Sequence, residues 1–107
     1  MVTFEDFSKI ELKTAKILNA SRVEGSEKLV ILDLELGEEK RQIVAGIGKA
    51  YCPEDLIDKT IVIVANLEPK ELMGIISNGM LLAAHDSEGN PVILIPEKEV
   101  SSGVKVS

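Results

Sequence analysis

Few side chains in this sequence could take part in covalent chemistry, and they do not form a catalytic arrangement. The single histidine, His85, precedes Asp86, and Ser77 is the nearest preceding serine. A serine nucleophile of this kind needs a sharp strand-to-helix turn, and the residues around Ser77 do not provide one. Cys52 stands before a proline in an apolar context, which favours a buried or inert thiol over a reactive one. We therefore predict no catalytic residues and no enzyme activity.

Metal and cofactor sites are not predicted either. His85 and Asp86 would need further ligands, and the sequence does not cluster any near them. Residues 86–90 share only the first part of a calcium-loop pattern, because the later glutamate is missing at the required spacing. The glycines at 46 and 48 lack a third glycine and do not open a long helix, so no phosphate-binding motif is formed. We expect no metal and no cofactor.

The stretch 66–84 is the candidate for binding rather than catalysis. It begins after the apolar run 61–65 and closes with the apolar run 80–84. Between the two runs it contains asparagine, proline, glycine and serine residues. In a small β domain, a polar loop between two buried strands is a common place for recognition residues.

The charge distribution bears on which ligand such a loop could bind. The net charge of −6 argues against non-specific nucleic-acid binding. However, residues 1–49 hold 8 Lys/Arg against 9 Asp/Glu, whereas residues 50–107 hold 4 against 9. A local basic face is compatible with an acidic total, because salt screens interactions beyond about 10 Å. A solvated charged face without a ligand is the simpler alternative.

Aromatic residues are scarce, which limits how a nucleic acid could be bound. Tyr51 is the one plausible platform for a stacked base, while general single-strand binders use several aromatic side chains. A nucleic-acid ligand would therefore be a folded RNA that is held by its shape and backbone.

Hydrophobic periodicity predicts a mostly β chain. In residues 10–23 the apolar alternation slips by one position, which indicates a β-bulge, and residues 29–36 alternate strictly. The predicted order is a short helix at 3–9, strands at 10–23, 29–36 and 40–47, a short helix at 53–57, and strands at 60–65, 80–84 and 92–95. Three strands, a helix and two strands is the order of the OB-fold, a five-stranded Greek-key barrel.

We therefore predict a single all-β domain over residues 1–107. The barrel would occupy about residues 10–84, with a short N-terminal helix before it and a C-terminal extension after it. No run of 18 apolar residues occurs, so no membrane span is expected. The N-terminus lacks the pattern of a signal peptide, and one cysteine excludes an internal disulfide. A cytoplasmic protein fits these features best.

Four segments of the chain resemble the tRNA-binding domain family. They are Gly25-Ser26-Glu27-Lys28-Leu29, Arg41-Gln42-Ile43-Val44-Ala45-Gly46-Ile47, Val64-Ala65-Asn66-Leu67-Glu68-Pro69-Lys70 and Gly74-Ile75-Ile76-Ser77-Asn78-Gly79-Met80. The family includes the C-terminal appendix of methionyl-tRNA synthetases, stand-alone structure-specific tRNA-binding proteins and the domain of endothelial-monocyte-activating polypeptide II. The resemblance covers nearly the whole chain.

The resemblance implies an OB-fold that binds tRNA by shape, forms a homodimer, and acts alone or with methionyl-tRNA synthetase as its C-terminal or β component. Carried over to this sequence, the tRNA-binding residues would be Lys13, Lys16, Lys28, Arg41, Asn66, Lys70, Ser77, Asn78 and Met80. The dimer interface would use the extensions at 1–9 and 92–107 and the segment around residue 72, with Phe4, Phe7, Leu72, Met73, Val104 and Val106.

The chain departs from the family pattern in the stretch 66–84. Glu68 and Glu71 stand where the family often has basic residues, so that Lys70 lies between two acids and the local charge is −1. This is expected to weaken binding to an anionic ligand. A dimeric protein-binding module of the same fold, similar to the secretion-chaperone branch, is the alternative function.

Overall fold

The computed structural model describes residues 1–107, and its strands form a curled sheet with two short β-ribbons attached. The strands are β1 (Leu12–Arg22), β2 (Val30–Leu36), β3 (Glu39–Ala45), β4 (Thr60–Val64), β5 (Lys70–Leu72), β6 (Ile75–Ser77), β7 (Met80–Leu81), β8 (Ala83–His85), β9 (Pro91–Ile93) and β10 (Lys105–Val106). The main sheet has the order β3-β2-β1-β4-β7, and β10 also pairs with β1. The predicted all-β OB-fold is confirmed.

Strand β1 pairs with three other strands, and it bends along its length to do so. Its register with β2 shifts between Ile17 and Asn19, and Leu18 turns outward there while Ile17 is fully buried. The bulge that the slipped alternation predicted is therefore present. A bulge increases local twist, which allows one strand to contribute to both sides of a small barrel.

Strand β2 shows why the core forms. Val30, Leu32, Leu34 and Leu36 are buried, while Asp33 between them is exposed. This is the strict alternation that the sequence predicts for a strand with one face in the core. Each fully buried aliphatic side chain contributes about 1.5–3 kcal/mol relative to exposure, so the four side chains of this row together contribute roughly 6–12 kcal/mol to the hydrophobic term.

A hairpin occupies the region that the sequence predicted as a loop. Strands β5 and β6 pair with Leu72 opposite Ile75. The two residues between them, Met73 and Gly74, have φ angles of 50° and 81°. Positive φ at both central residues is the conformation of the type I′ turn, which matches the twist of a hairpin. The prediction of a continuous loop was therefore wrong. The hairpin is not evident from the sequence because methionine is an unusual first residue for a type I′ turn.

The strand predicted at 80–84 changes partner along its length. Strand β7 pairs with β4, and β8 pairs with β9. Leu82 lies between them, donating from its N–H to Val62 O at 3.0 Å and accepting from Leu94 N at 3.2 Å. The chain stays extended, so the sequence predicted one strand, but the pairing divides it into two.

The two ends of the chain lie near the start of β1. Helix α1 (Phe4–Ser8) precedes β1, and β10 pairs Val106 with Leu12. A 3₁₀ helix (Pro53–Leu56) replaces the predicted helix at 53–57. With five and four residues, neither helix could cross a lipid bilayer.

The C-terminal tail is attached to the barrel through Thr14. The Thr14 hydroxyl donates to Ser101 O at 2.8 Å and accepts from Val104 N at 2.9 Å. Its backbone N–H also donates to Val104 O, and its carbonyl accepts from Gly103 N. Thr14 is 3% exposed, so these bonds satisfy a buried polar side chain and hold the tail on β1.

Candidate nucleic-acid interface

Arg41 lies in the core-facing row of β3, and its guanidinium is used by the fold. Its register partner on β2 is the buried Leu34. The side chain pairs with Glu39 at 2.5 Å and donates to the backbone carbonyls of Ala65 and, at 3.3 Å, Asn78. It is only 17% exposed. Arg41 therefore connects β3 to the segments that follow β4 and β6, and a predicted contact with RNA would have to compete with these bonds.

Ser77 joins two parts of the barrel that no continuous strand pairing connects. Its hydroxyl accepts from Val44 N at 2.9 Å and donates to Gly79 O at 3.1 Å. The neighbouring Asn78 N donates to Gln42 O at 2.9 Å. Ser77 is 5% exposed. The predicted contact of this hydroxyl with tRNA would require the closure to open, whereas the exposed Asn78 side chain is accessible.

Asn66 joins the N-terminal segment to the barrel. Its amide oxygen accepts from Glu11 N at 2.9 Å, and its amide nitrogen donates to Lys9 O at 2.7 Å. These two bonds fix the chain between α1 and β1. The predicted role of Asn66 in hydrogen bonding to RNA would depend on the remaining hydrogen-bonding capacity of the amide.

The predicted cations divide into those with a carboxylate partner and those without one. Lys16 lies 3.9 Å from Asp58, in a cleft that also contains Glu35 and Glu99. By contrast, Lys13, Lys28 and Lys70 take part in no ion pair, since the three pairs present involve Lys9, Lys16 and Arg41. The unpaired lysines are the better candidates for binding a phosphate.

Lys13 has a second lysine opposite it. The register of β1 and β10 places Lys105 directly across from Lys13. Like charges at directly opposed positions of an antiparallel pair are destabilising, and an anion between them would relieve the repulsion. Lys105 was not predicted, because the pairing of the tail with β1 cannot be derived from a two-residue apolar alternation.

Lys28 lines a cleft of about 520 Å³, here called the lysine cleft, together with Lys49, His85 and Asn90. The Lys28 side chain lies over Gly46, where an added methyl group would approach its Cε to 2.9 Å. Neither lysine takes part in an ion pair. The family resemblance assigns a role to Lys28 but not to Lys49 or His85, and only the fold shows that these residues line one cleft.

Met80 lies beside the lysine cleft in a second cavity of about 330 Å³, here called the apolar pocket. Its lining includes Val44, Ile47 and Ala83, and it shares Gly46 and His85 with the lysine cleft. Met80 is 51% exposed. The structure therefore brings two of the predicted residues, Lys28 and Met80, to adjoining cavities.

The turn beside these cavities is held by Asp86. Its Oδ1 accepts from Glu88 N and Asn90 N, each at 2.9 Å. These backbone N–H groups, that of Asn90 first, hold the pKa of the Asp86 carboxyl below its ordinary value. The carboxylate is thus directed at its own turn, which fixes the position of Asn90 at the cleft.

Other side chains differ from their predicted surroundings. The Tyr51 hydroxyl accepts from Ile93 N at 3.1 Å, and the ring packs against the core, so it is not an open stacking platform. Cys52 is exposed rather than buried.

The predicted interface residues lie in two separate places. Phe4 is 84% exposed and Phe7 37%, and helix α1 buries none of its residues. Val104 and the partly buried Val106 lie at the same end of β1 as helix α1, because the tail that contains them pairs with that end of β1. Met73 is instead at the tip of the β5–β6 hairpin, with its terminal methyl next to Gly25.

Comparison with known proteins identifies relatives over the whole chain. The family model described as "Putative tRNA binding domain" matches residues 12–105. The chain is 57% identical over 106 residues to the methionine–tRNA ligase of Caldanaerobacter subterraneus subsp. tengcongensis, and 50% identical over 105 residues to that of Pyrococcus horikoshii. These matches cover 99% and 98% of this chain but only 16% and 14% of the length of those ligases.

Solved structures show the same similarity in three dimensions. A MetRS related protein from Pyrococcus horikoshii has a TM-score of 0.95 and 32% identity, covering 100% of this chain and 98% of that chain. The chaperone CsaA from Bacillus anthracis has a TM-score of 0.90 and 34% identity, covering 100% of this chain and 99% of that chain.

Proposed function

The chain belongs to the tRNA-binding domain family, and we propose that it is a non-catalytic module that binds the folded body of tRNA. Binding would rest on the shape and phosphate backbone of the RNA, because the surface offers several lysines but few aromatic side chains. The observation that carries this proposal is the family match over residues 12–105, combined with lysines that have no carboxylate partner.

The unpaired lysines define two candidate phosphate contacts. One is the pair Lys13 and Lys105 on β1 and β10, and the other is the lysine cleft with Lys28 and Lys49. Lys70 adds an exposed cation at the start of the β5–β6 hairpin. In this proposal Arg41, Ser77 and Asn66 act mainly by shaping the surface, since their polar groups are used within the fold.

A tRNA gel-shift assay at two salt concentrations tests this proposal. Lys28→Glu and Lys13→Glu should each weaken binding and reduce the dependence of log K on log salt by about 1, because one phosphate contact is lost. Lys59→Glu is the matched control, since Lys59 is an exposed lysine outside both sites. Equal effects of all three substitutions would reject the assigned face, and failure of the unaltered protein to bind tRNA would reject the function.

The similarity to methionine–tRNA ligases supports a role as an accessory domain of such an enzyme. We propose that residues 1–107 act as one domain that raises the affinity of a methionine–tRNA ligase for tRNA, either within its chain or as a separate subunit. A cytoplasmic location would follow from that role. Addition of the purified domain to a ligase that lacks it should lower the KM for tRNA and leave the KM for methionine unchanged.

Homodimer formation is part of the proposal and rests on exposed apolar residues. Phe4 and Phe7 of α1 share one helix face and lie at the same end of β1 as Val104 and Val106. Several exposed apolar residues at one end of a strand suit an interface better than isolated ones, which are common at surfaces. Leu72 and Met73 lie elsewhere and would need a second contact region. Sedimentation at micromolar concentration should give a dimer for the unaltered chain and a monomer for Phe4→Glu.

A protein-binding function is the second candidate, and the match to CsaA chaperones favours it. The apolar pocket beside Met80 would then take an apolar peptide side chain. Peptide binding that persists at high salt, together with the absence of tRNA binding at low salt, would support this alternative over the first.

A further inference from the structure

The lysine cleft and the apolar pocket adjoin each other, and together they have the two parts of a nucleotide site. They share Gly46, His85 and Pro91, so the two cavities lie side by side with these residues at their boundary. One side is polar and cationic, whereas the other is mostly apolar. A nucleotide has the same division, because its phosphate is anionic and its base presents an aromatic face.

The cationic side depends on two lysines that no carboxylate neutralises. Lys28 lies over Gly46, and Lys49, which follows β3 in the chain, lines the same cleft. The nearest acid in sequence to His85 is Asp86, whose carboxylate accepts from backbone N–H groups of its own turn. No acidic side chain lines the cleft itself, so the cleft presents positive charge that complements a phosphate.

The apolar side offers a surface for a base without any large aromatic side chain. Met80 is half exposed, and its thioether is the kind of polarisable group that makes favourable contacts with aromatic rings. His85 supplies an imidazole ring at the boundary of the two cavities. The pocket volume of about 330 Å³ is at the lower end of the roughly 300–1,000 Å³ that is typical of small-ligand sites.

We propose that this composite site binds one unpaired nucleotide of tRNA, with its base in the apolar pocket against Met80 and His85 and its phosphate at Lys28 and Lys49. The inference rests on the proposed tRNA-binding function and adds a specific element to it. An unpaired base can leave its stack and be held individually, whereas a paired base in a helix cannot. The site would therefore favour RNA that presents such a base beside its folded body.

Nuclear magnetic resonance with two small probes tests the site directly. Adenosine 5′-monophosphate carries a base and a phosphate, whereas ribose 5-phosphate lacks the base. Both probes should shift the signals of Lys28, Lys49 and the His85 ring, because His85 lines both cavities, and only the nucleotide should shift the Met80 methyl group. Subsequent addition of tRNA should displace the bound nucleotide.

Two substitutions and one control separate the base from the phosphate. His85→Ala and Met80→Ala should each weaken binding of the nucleotide about tenfold, in line with the contribution of one stacked base. Met80→Ala should leave binding of ribose 5-phosphate unchanged, whereas His85→Ala should weaken it less than binding of the nucleotide, because His85 lines both cavities. Val92→Ala is the control, because Val92 pairs with Ala84 and so lies on the opposite face of the β8–β9 ribbon from His85. It should change neither affinity.

The outcomes separate this inference from the proposed function. Identical shifts with both probes, or shifts confined to other residues, would overturn the nucleotide site. If tRNA nevertheless binds with normal affinity, the proposed function stands without it. If the nucleotide shifts Met80 and His85 but tRNA neither binds nor displaces it, the nucleotide site stands and the tRNA function fails.

Discussion

Ser77→Ala should destabilise the protein without a comparable loss of tRNA affinity. The hydroxyl of Ser77 is the partner of Val44 N, at 2.9 Å, in a part of the barrel where both residues are less than a tenth exposed. Alanine fits the same space but leaves this buried N–H without an acceptor. An unsatisfied buried donor costs about 1–3 kcal/mol of the free energy of unfolding.

That loss is large enough to measure by thermal unfolding. For a domain of about this size, 1 kcal/mol shifts Tm by about 4–8 °C, so the expected decrease is roughly 5–20 °C. Ser87→Ala is the matched control, since Ser87 lies in an exposed turn and its side chain makes no hydrogen bond within the fold. All variants should be compared at one protein concentration, because a dimer has a concentration-dependent Tm.

Two results would refute the structural role of Ser77. The first is a Ser77→Ala variant whose Tm matches that of Ser87→Ala. The second is an unchanged Tm with tRNA affinity reduced about tenfold at a temperature where both variants are folded. The second result would support the contact between this hydroxyl and RNA that the family resemblance implies.

Three further substitutions or titrations test other parts of the fold. Thr14→Val removes the hydroxyl that donates to Ser101 O, so it should lower the free energy of unfolding, measured in urea, by about 1–2 kcal/mol. It should also expose the tail to proteolysis, and an uncleaved tail would contradict this. Gly48→Ala would place a methyl group 2.5 Å from a backbone carbonyl oxygen, and this clash should lower the free energy of unfolding by about 1–3 kcal/mol. An unchanged Tm would show that the turn can move to accommodate the methyl group. The Asp86 carboxylate is stabilised in the fold, so its turn should be fully formed above the ordinary carboxyl pKa and should loosen as pH falls through the lowered value; an Asn90 amide signal that titrates at the ordinary pKa would contradict this.

The main sheet could be predicted because its hydrophobic pattern is local. The alternation in β2 places Leu32 and Leu34 in the core, and the slipped alternation in β1 gives the bulge at Leu18. In both cases the signal is the order of apolar and polar residues along a single strand. Pairing between strands then follows from short connections and from the need to cover one apolar face.

The pairing of short strands could not be predicted in the same way. The turn at Met73 and Gly74 lacks the asparagine or aspartate that usually marks a type I′ hairpin. The two residues of β10 are too few to give a periodic signal, and their contact with β1 spans nearly the whole sequence. These elements are determined by tertiary contacts, such as those of Thr14 with the tail.

The candidate site illustrates the same limit at the level of side chains. The family resemblance places Arg41 with the RNA-facing lysines, although it shares the strand parity of Ile43, which is fully buried. Parity alone would have indicated an inward side chain. Lys49 and His85, by contrast, meet only because the β8–β9 ribbon packs near the end of β3, and no feature of either local sequence indicates this.

An acidic total charge is compatible with RNA binding because no acidic side chain lines the lysine cleft. Glu39 is compensated by Arg41, while the carboxylates of Glu35 and Asp86 accept from the Ser102 hydroxyl and from the Asp86 turn. The lysines of the cleft pair with no carboxylate, so their charge is available to a ligand. Since salt screens distant acids more strongly than a phosphate in contact with a lysine, we expect the local charge at the proposed phosphate contacts to matter more for tRNA binding than the net charge.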